Sequence, residues 1–275
     1  MLPLRDANRP QRRPWITWSL IAINVVIFVF SLARNDTTFP AYSDAAERVP
    51  VNGFDAVTWQ YGFMPCELGD ACERPDRGEV YPAGTSELAE EDQDTDLVRV
   101  PDVWPYLTLL SSMFMHGSWA HLLGNMLFLW IFGPRLEDAM RRLAFLAFYL
   151  ACGFAADVSQ WAVDTASDVP NIGASGAIAG LLGGFLILYP RERLLTAVPL
   201  VPFFYLAEIP AVLVLVSWIV LQLLSGSAAL VGPDEAYGIA YFAHIGGFFA
   251  GALLARPLAV HWRRRRRAVR AAAAT

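Results

Sequence analysis

Six long apolar runs constrain this chain more than anything else in it. They extend from Trp15 to Leu32, Leu122 to Phe132, Leu143 to Phe154, Ile172 to Tyr189, Ile209 to Leu224 and Ile239 to Ala255. A helix needs about 20 apolar residues to cross the ~30 Å hydrocarbon core of a bilayer. The second run reaches that length by extending back through His116 to Met113, and the third by continuing to Trp161. Hydrophobic residues make up 55% of the 275 and the mean hydropathy is +0.38. A soluble protein of this size cannot bury that much apolar surface. The expected fold is therefore an all-α membrane protein, a bundle of six transmembrane helices.

There is no lysine, so orientation is read from arginine alone. Arg5, Arg9, Arg12 and Arg13 precede the first run; Arg135, Arg141 and Arg142 lie between the second and third; Arg191 and Arg193 follow the fourth; Arg256, Arg263 to Arg267 and Arg270 follow the sixth. The alternate connections carry acid instead, with Asp157, Asp164 and Asp168 between runs three and four and Asp234 and Glu235 between five and six. Arginine on the cytoplasmic side puts both termini in the cytoplasm. An arginine-only, alanine-rich composition points to a bacterial plasma membrane.

The expected organisation has five parts. Residues 1–14 form a cytoplasmic segment, 15–33 the first transmembrane helix, 34–105 an extracytoplasmic loop, 106–256 a core of the remaining five helices and 257–275 a basic cytoplasmic tail. The start of the first run also resembles a signal peptide, with Ser31-Leu32-Ala33 as its small-residue site. Its apolar stretch, however, exceeds the ~7 to 15 residues usual there. Between Arg34 and Pro101 the loop holds 15 acids and 5 arginines, and "SELAEEDQDTD" has too few apolar residues to build a core. Trp59, Tyr61, Phe63, Trp104 and Tyr106 are expected at headgroup level. Cys66 and Cys72 either close a small disulfide loop or remain two free thiols, and Cys152 reads as a small core residue. No second cysteine pair or histidine stands near enough to complete a metal site. Directly after a span, "HWRRRRRAVR" reads as an anchor on anionic lipid, which argues against a nucleic-acid partner.

Polar and ionisable side chains at membrane depth are costly and mark functional sites. His121 and Asn125 are four residues apart on one face of the second run, Ser175 opens the fourth and His244 sits within the sixth. At ~1.5 Å of rise per residue, Ser175 and His121 each lie about 21 Å above the cytoplasmic boundary and His244 roughly 17 Å. Counted from Ser175, the fourth helix is too short to cross the bilayer, so its start must face a water-filled cavity shielded by protein. Gly176, Gly180 and Gly184 recur every four residues, as do Ala243, Gly247, Gly251 and Ala255. Two such stripes let backbones approach closely and would bring the Ser175 hydroxyl to the His244 imidazole.

A serine hydroxyl becomes a nucleophile when a base within reach takes its proton. With no carboxylate at matching depth, the arrangement is a Ser-His dyad. His121, Asn125 and the backbone N–H of Ser175 are the candidate oxyanion donors, while His116 is expected to hydrogen-bond the loop that carries it. A transporter would place polar residues at several depths, whereas here they gather at one.

These residues resemble the rhomboid family of intramembrane serine proteases. "HGSWAHLLGN" is similar to the family's His and Asn oxyanion segment, "GASG" to its Gly-x-Ser-Gly nucleophile, with Gly173 and Gly176 beside Ser175, and "AHIGGFFAG" to its base helix, with His244 and Gly247. The likeness runs from about Trp104 to Arg256. It implies a rhomboid-like bundle, Ser175 as nucleophile, His244 as base, and hydrolysis of peptide bonds in or beside transmembrane helices of other proteins. The implied partners are transmembrane substrates and the lipid bilayer, with no metal or cofactor. Glu137, twelve residues after Asn125, matches a family glutamate expected to support the loop between the first two spans. Two positions depart from the pattern: Pro105 follows Trp104 where the family often has arginine, and Ala179 stands where many members stack an aromatic ring on the base. Pro199, Pro202 and Pro210 are expected to kink the entry to the fifth span, with Glu208 near the cytoplasmic interface.

Overall fold

The computed structural model describes residues 2–6, 10–34, 38–42, 48–52, 57–58, 61–68, 79–80, 98–99, 105–167, 169–200, 203–230, 239–260 and 262. Helices occupy each of the six apolar runs: α1 (Trp15–Leu32), α2 (Trp119–Met140), α3 (Arg142–Val163), α4 (Ser175–Leu188), α5 (Ala211–Ala229) and α6 (Tyr241–Leu258). By length and composition α1, α3 and α5 can cross a membrane, and α4 is a shorter apolar helix. Val26, Phe30, Leu123, Trp130, Leu224 and Leu253 all expose their side chains on the outer faces of these helices, a surface suited to lipid.

Helix α2 starts later than the second run suggested. Ser118 caps it, its hydroxyl accepting from the His121 N–H at 3.2 Å, so His116 lies in the turn before the helix. Asp157, expected in a connection, lies within α3 and is buried.

Helix α4 is the centre of the bundle. Every residue from Gly176 to Phe185 is buried, and the two small-residue stripes face each other across α4 and α6. A Cβ on Gly247 would run into the Gly176 carbonyl oxygen, and one on Gly251 into that of Gly180. On the other side, a Cβ on Gly176 would stand 2.5 Å from the Ala156 methyl of α3. With 14 residues, α4 rises only about 21 Å, which leaves its first residue inside the bundle.

The expectation of an all-α chain is corrected by a three-stranded antiparallel sheet. Its order is β1 (Leu2–Asp6), β2 (Arg193–Leu200), β3 (Phe203–Pro210), with β2 in the middle. The proline-bearing segment before α5 is thus a hairpin running from Arg193 opposite Pro210 to Leu200 opposite Phe203. Prolines forbid a helix there, and the sheet admits them at its margins. β1 pairs with Leu194 to Ala197 of β2, so Pro199 stands beyond it, where the central strand has become an edge. Glu208 pairs with Leu195 in this hairpin. Residues 2–6 are accordingly part of the fold. Arg135 fastens them, with Nε 3.2 Å from the Asp6 carboxylate, Nη2 3.2 Å from Glu192 and the guanidinium 4.5 Å above the Tyr189 ring.

Among the described residues, Glu137 meets the start of α1 and not the loop between the first two spans. Its carboxylate accepts from the Ile16 N–H (3.1 Å), the Thr17 N–H (2.9 Å) and the Thr17 hydroxyl (2.9 Å). The reason is position along the helix. Glu137 is 18 residues beyond Trp119, so about 27 Å of helix separates it from the loop end of α2. It caps the first turn of α1, where unpaired N–H groups and the helix dipole both favour a carboxylate.

Tyr61 and Phe63, expected at headgroup level, lie in a stretch, 61–66, that packs against protein. Phe63 is fully buried and pairs its backbone with Asn171, and the Cys66 N–H donates to the Ser167 carbonyl at 3.0 Å. Tyr106 is exposed; Trp59 and Trp104 lie outside the described residues. Cys66 is disulfide-bonded and Cys152 is free and buried; Cys72 lies outside the described residues, as do Asp168, Asp234, Glu235 and the arginine run of the tail.

Candidate active site

Ser175 is the first residue of α4, and His244 lies one turn into α6. Because the glycine stripes bring the two backbones together, the Ser175 hydroxyl lies in hydrogen-bonding contact with His244 Nε2 at 2.8 Å. The other ring nitrogen, Nδ1, is 2.9 Å from the side-chain oxygen of Gln222 on α5. The Trp218 ring, one turn earlier on α5, has its centroid 5.9 Å from that of His244 and stacks on Phe248. An aromatic wall for the imidazole therefore comes from α5, while Ala179 is buried within α4.

The connection into α4 is held from three sides. Gly173 has φ +119°, a conformation that L side chains rarely adopt, and its N–H donates to the Ser112 carbonyl at 2.9 Å. The Asn171 amide donates to Asp157 of α3 at 2.7 Å, and the Ser112 hydroxyl to the same carboxylate at 3.3 Å. Both strands of the Phe63–Asn171 bridge donate to each other, at 3.1 and 2.7 Å. This clamp fixes the peptide that presents Ser175.

His121 and Asn125 converge on the same place. A Cβ built on Gly173 would stand 2.7 Å from His121 Nε2 and 3.6 Å from Asn125 Nδ2, so glycine is required here for space as well as for φ. Asn125 Nδ2 also donates to His116 Nε2 at 3.0 Å, and the His116 ring meets His121 edge-on with centroids 5.0 Å apart. His116 therefore steadies Asn125. A cavity of about 700 Å³ opens beside these groups, with His121, Asn125, Ser175, Trp218, Gln222 and His244 all on its wall.

The structure thus gathers Ser175, His244, His121, Asn125, His116 and Gly173 in one place, with Gly176 and Gly247 at the helix contact that closes it. Glu137 stands apart, at the far end of α2. Gln222, Trp218 and Asp157 went unrecognised in the sequence. An amide and an acid inside apolar runs were the available signal, but which way each faces depends on helix rotation.

A Rhomboid domain matches residues 102–260, more than half of the chain. The chain belongs to the rhomboid family. RHOMBOID-like protein 5 of Arabidopsis thaliana is 29% identical over 256 residues, 92% of this chain and 71% of its own length. RHOMBOID-like protein 4 of the same plant is 35% identical over 146 residues, 53% of this chain and 32% of its own. Rhomboid protein 1, mitochondrial, of Saccharomyces cerevisiae is 32% identical over 151 residues, 54% of this chain and 40% of its own. The chain thus spans less than half the length of the last two. As a rhomboid it is a membrane protein, and the rhomboid domain contains every residue of the cavity wall except Pro65.

Proposed function

We propose that the chain is an intramembrane serine endopeptidase that hydrolyses peptide bonds in or next to transmembrane helices of other membrane proteins. The observation that carries this reading is the 2.8 Å contact of Ser175 Oγ with His244 Nε2 at the wall of a cavity. As Oγ attacks the scissile carbonyl carbon, its proton passes to Nε2. His121, Asn125 and the backbone N–H of Ser175 at the start of α4 bind the oxyanion. His244 then delivers the proton to the departing amine, leaving an acyl ester on Ser175. Water entering by the cavity gives a proton to the same nitrogen, attacks the ester and releases the acid, restoring both side chains.

In the bilayer, this reading has six spans with both termini on the cytoplasmic side, residues 106–256 as catalytic core and 257–275 as a basic tail. The short α4 supports a site sunk beneath the outer surface. A non-catalytic rhomboid would use the same fold without an activated serine. Reaction with a fluorophosphonate separates the two: an adduct on Ser175 is expected in the parent and none in His244→Ala. Equal labelling of both proteins would overturn the assignment.

A further inference from the structure

We infer that Gln222 is a positioning residue that selects the imidazole tautomer of His244; this rests on the protease reading above. A neutral imidazole carries one N–H and one lone pair, and the neighbour of one nitrogen decides which is which. The Gln222 side-chain oxygen, 2.9 Å from Nδ1, can only accept. Nδ1 therefore holds the proton, and the Nε2 lone pair faces the Ser175 hydroxyl 2.8 Å away. Were the amide nitrogen turned to the ring instead, Nε2 would carry the proton and could not serve as base.

Placement supports the same role. Gln222 is the one amide in α5, otherwise built of apolar residues, serines, a glycine and a tryptophan. A primary amide at that depth costs free energy unless it is hydrogen-bonded. Trp218, one turn away, flanks the imidazole, so α5 supplies both the polar and the aromatic contact of the base. A carboxylate in this position would also stabilise the imidazolium by charge. Gln222 supplies orientation alone, and its effect on rate should match a single neutral hydrogen bond, about three- to tenfold.

The test uses the full chain in liposomes. ¹⁵N NMR of histidine-labelled protein, with His244 assigned by its loss in His244→Ala, is expected to show the Nδ1–H tautomer. Finding Nε2–H would overturn the inference, and this measurement requires no change at Gln222. Gln222→Met keeps length and removes the acceptor; it should lower kcat and the fluorophosphonate labelling rate three- to tenfold with KM within twofold. Gln222→Glu keeps an acceptor oxygen and should restore labelling at least to the parent rate. Parent-like labelling of Gln222→Met, or a Gln222→Glu as slow as Gln222→Met, would overturn the role of Gln222 while leaving the protease reading intact. A parent that is never labelled at Ser175 would overturn both.

Discussion

Gly173 carries two demands at once, a backbone with φ +119° and a space that any Cβ would share with His121 Nε2. The left-handed region costs an L-residue about 1–2 kcal/mol, and here the strain falls on the peptide leading directly to Ser175. Gly173→Ala should therefore lower kcat at least tenfold in a cleavage assay while far-UV circular dichroism stays unchanged. Asn125 tests the opposite side of the site. Its Nδ2 lies near the Gly173 position and is held by His116, and losing one oxyanion donor costs roughly a hundredfold in kcat. Asn125→Ala should show that loss in kcat with KM little changed. The motif residues at this scale were legible in the sequence because each is chemically out of place: a hydroxyl, an amide and imidazoles within apolar runs. Gln222 was equally out of place. Its role stays hidden because its contact with His244, 22 positions further along the chain, is made only when α5 and α6 pack.

At the scale of elements, apolar runs located the helices and four-residue glycine spacing identified the contact between α4 and α6. Gly247→Ala should place a methyl against the Gly176 carbonyl, costing about 1–3 kcal/mol of stability by overpacking and loosening the Ser175–His244 contact. Thermal unfolding in detergent, read beside activity, checks both effects. The sheet was not legible. Proline ruled out a helix between Arg193 and Pro210, but the pairing partner β1 lies almost 190 residues earlier in the chain, and no local pattern announces it. The role of Glu137 was misplaced for a related reason. Twelve residues of spacing from Asn125 fix its height on α2, while its partners belong to another helix. Glu137→Ala removes three hydrogen bonds to a carboxylate at the start of α1, and should cost about 2–4 kcal/mol with a smaller effect on labelling of Ser175.

For the whole molecule, the decisive arrangement is a short central helix ringed by longer ones, which holds a polar cavity among apolar walls. Composition and the length of α4 made this legible, because a 14-residue helix cannot cross the bilayer and must present its first residue to water within it. The packing of residues 61–66 against the approach to Ser175 was not legible, since it depends on backbone bonds between Phe63 and Asn171 and between Cys66 and Ser167. The central claim concerns the hydroxyl at the start of that helix. The most direct measurement is cleavage of a helix-bearing reporter protein in liposomes by the parent chain and by Ser175→Ala. The parent is expected to cut the reporter and Ser175→Ala to leave it whole; cleavage by Ser175→Ala at the parent's rate would contradict the account.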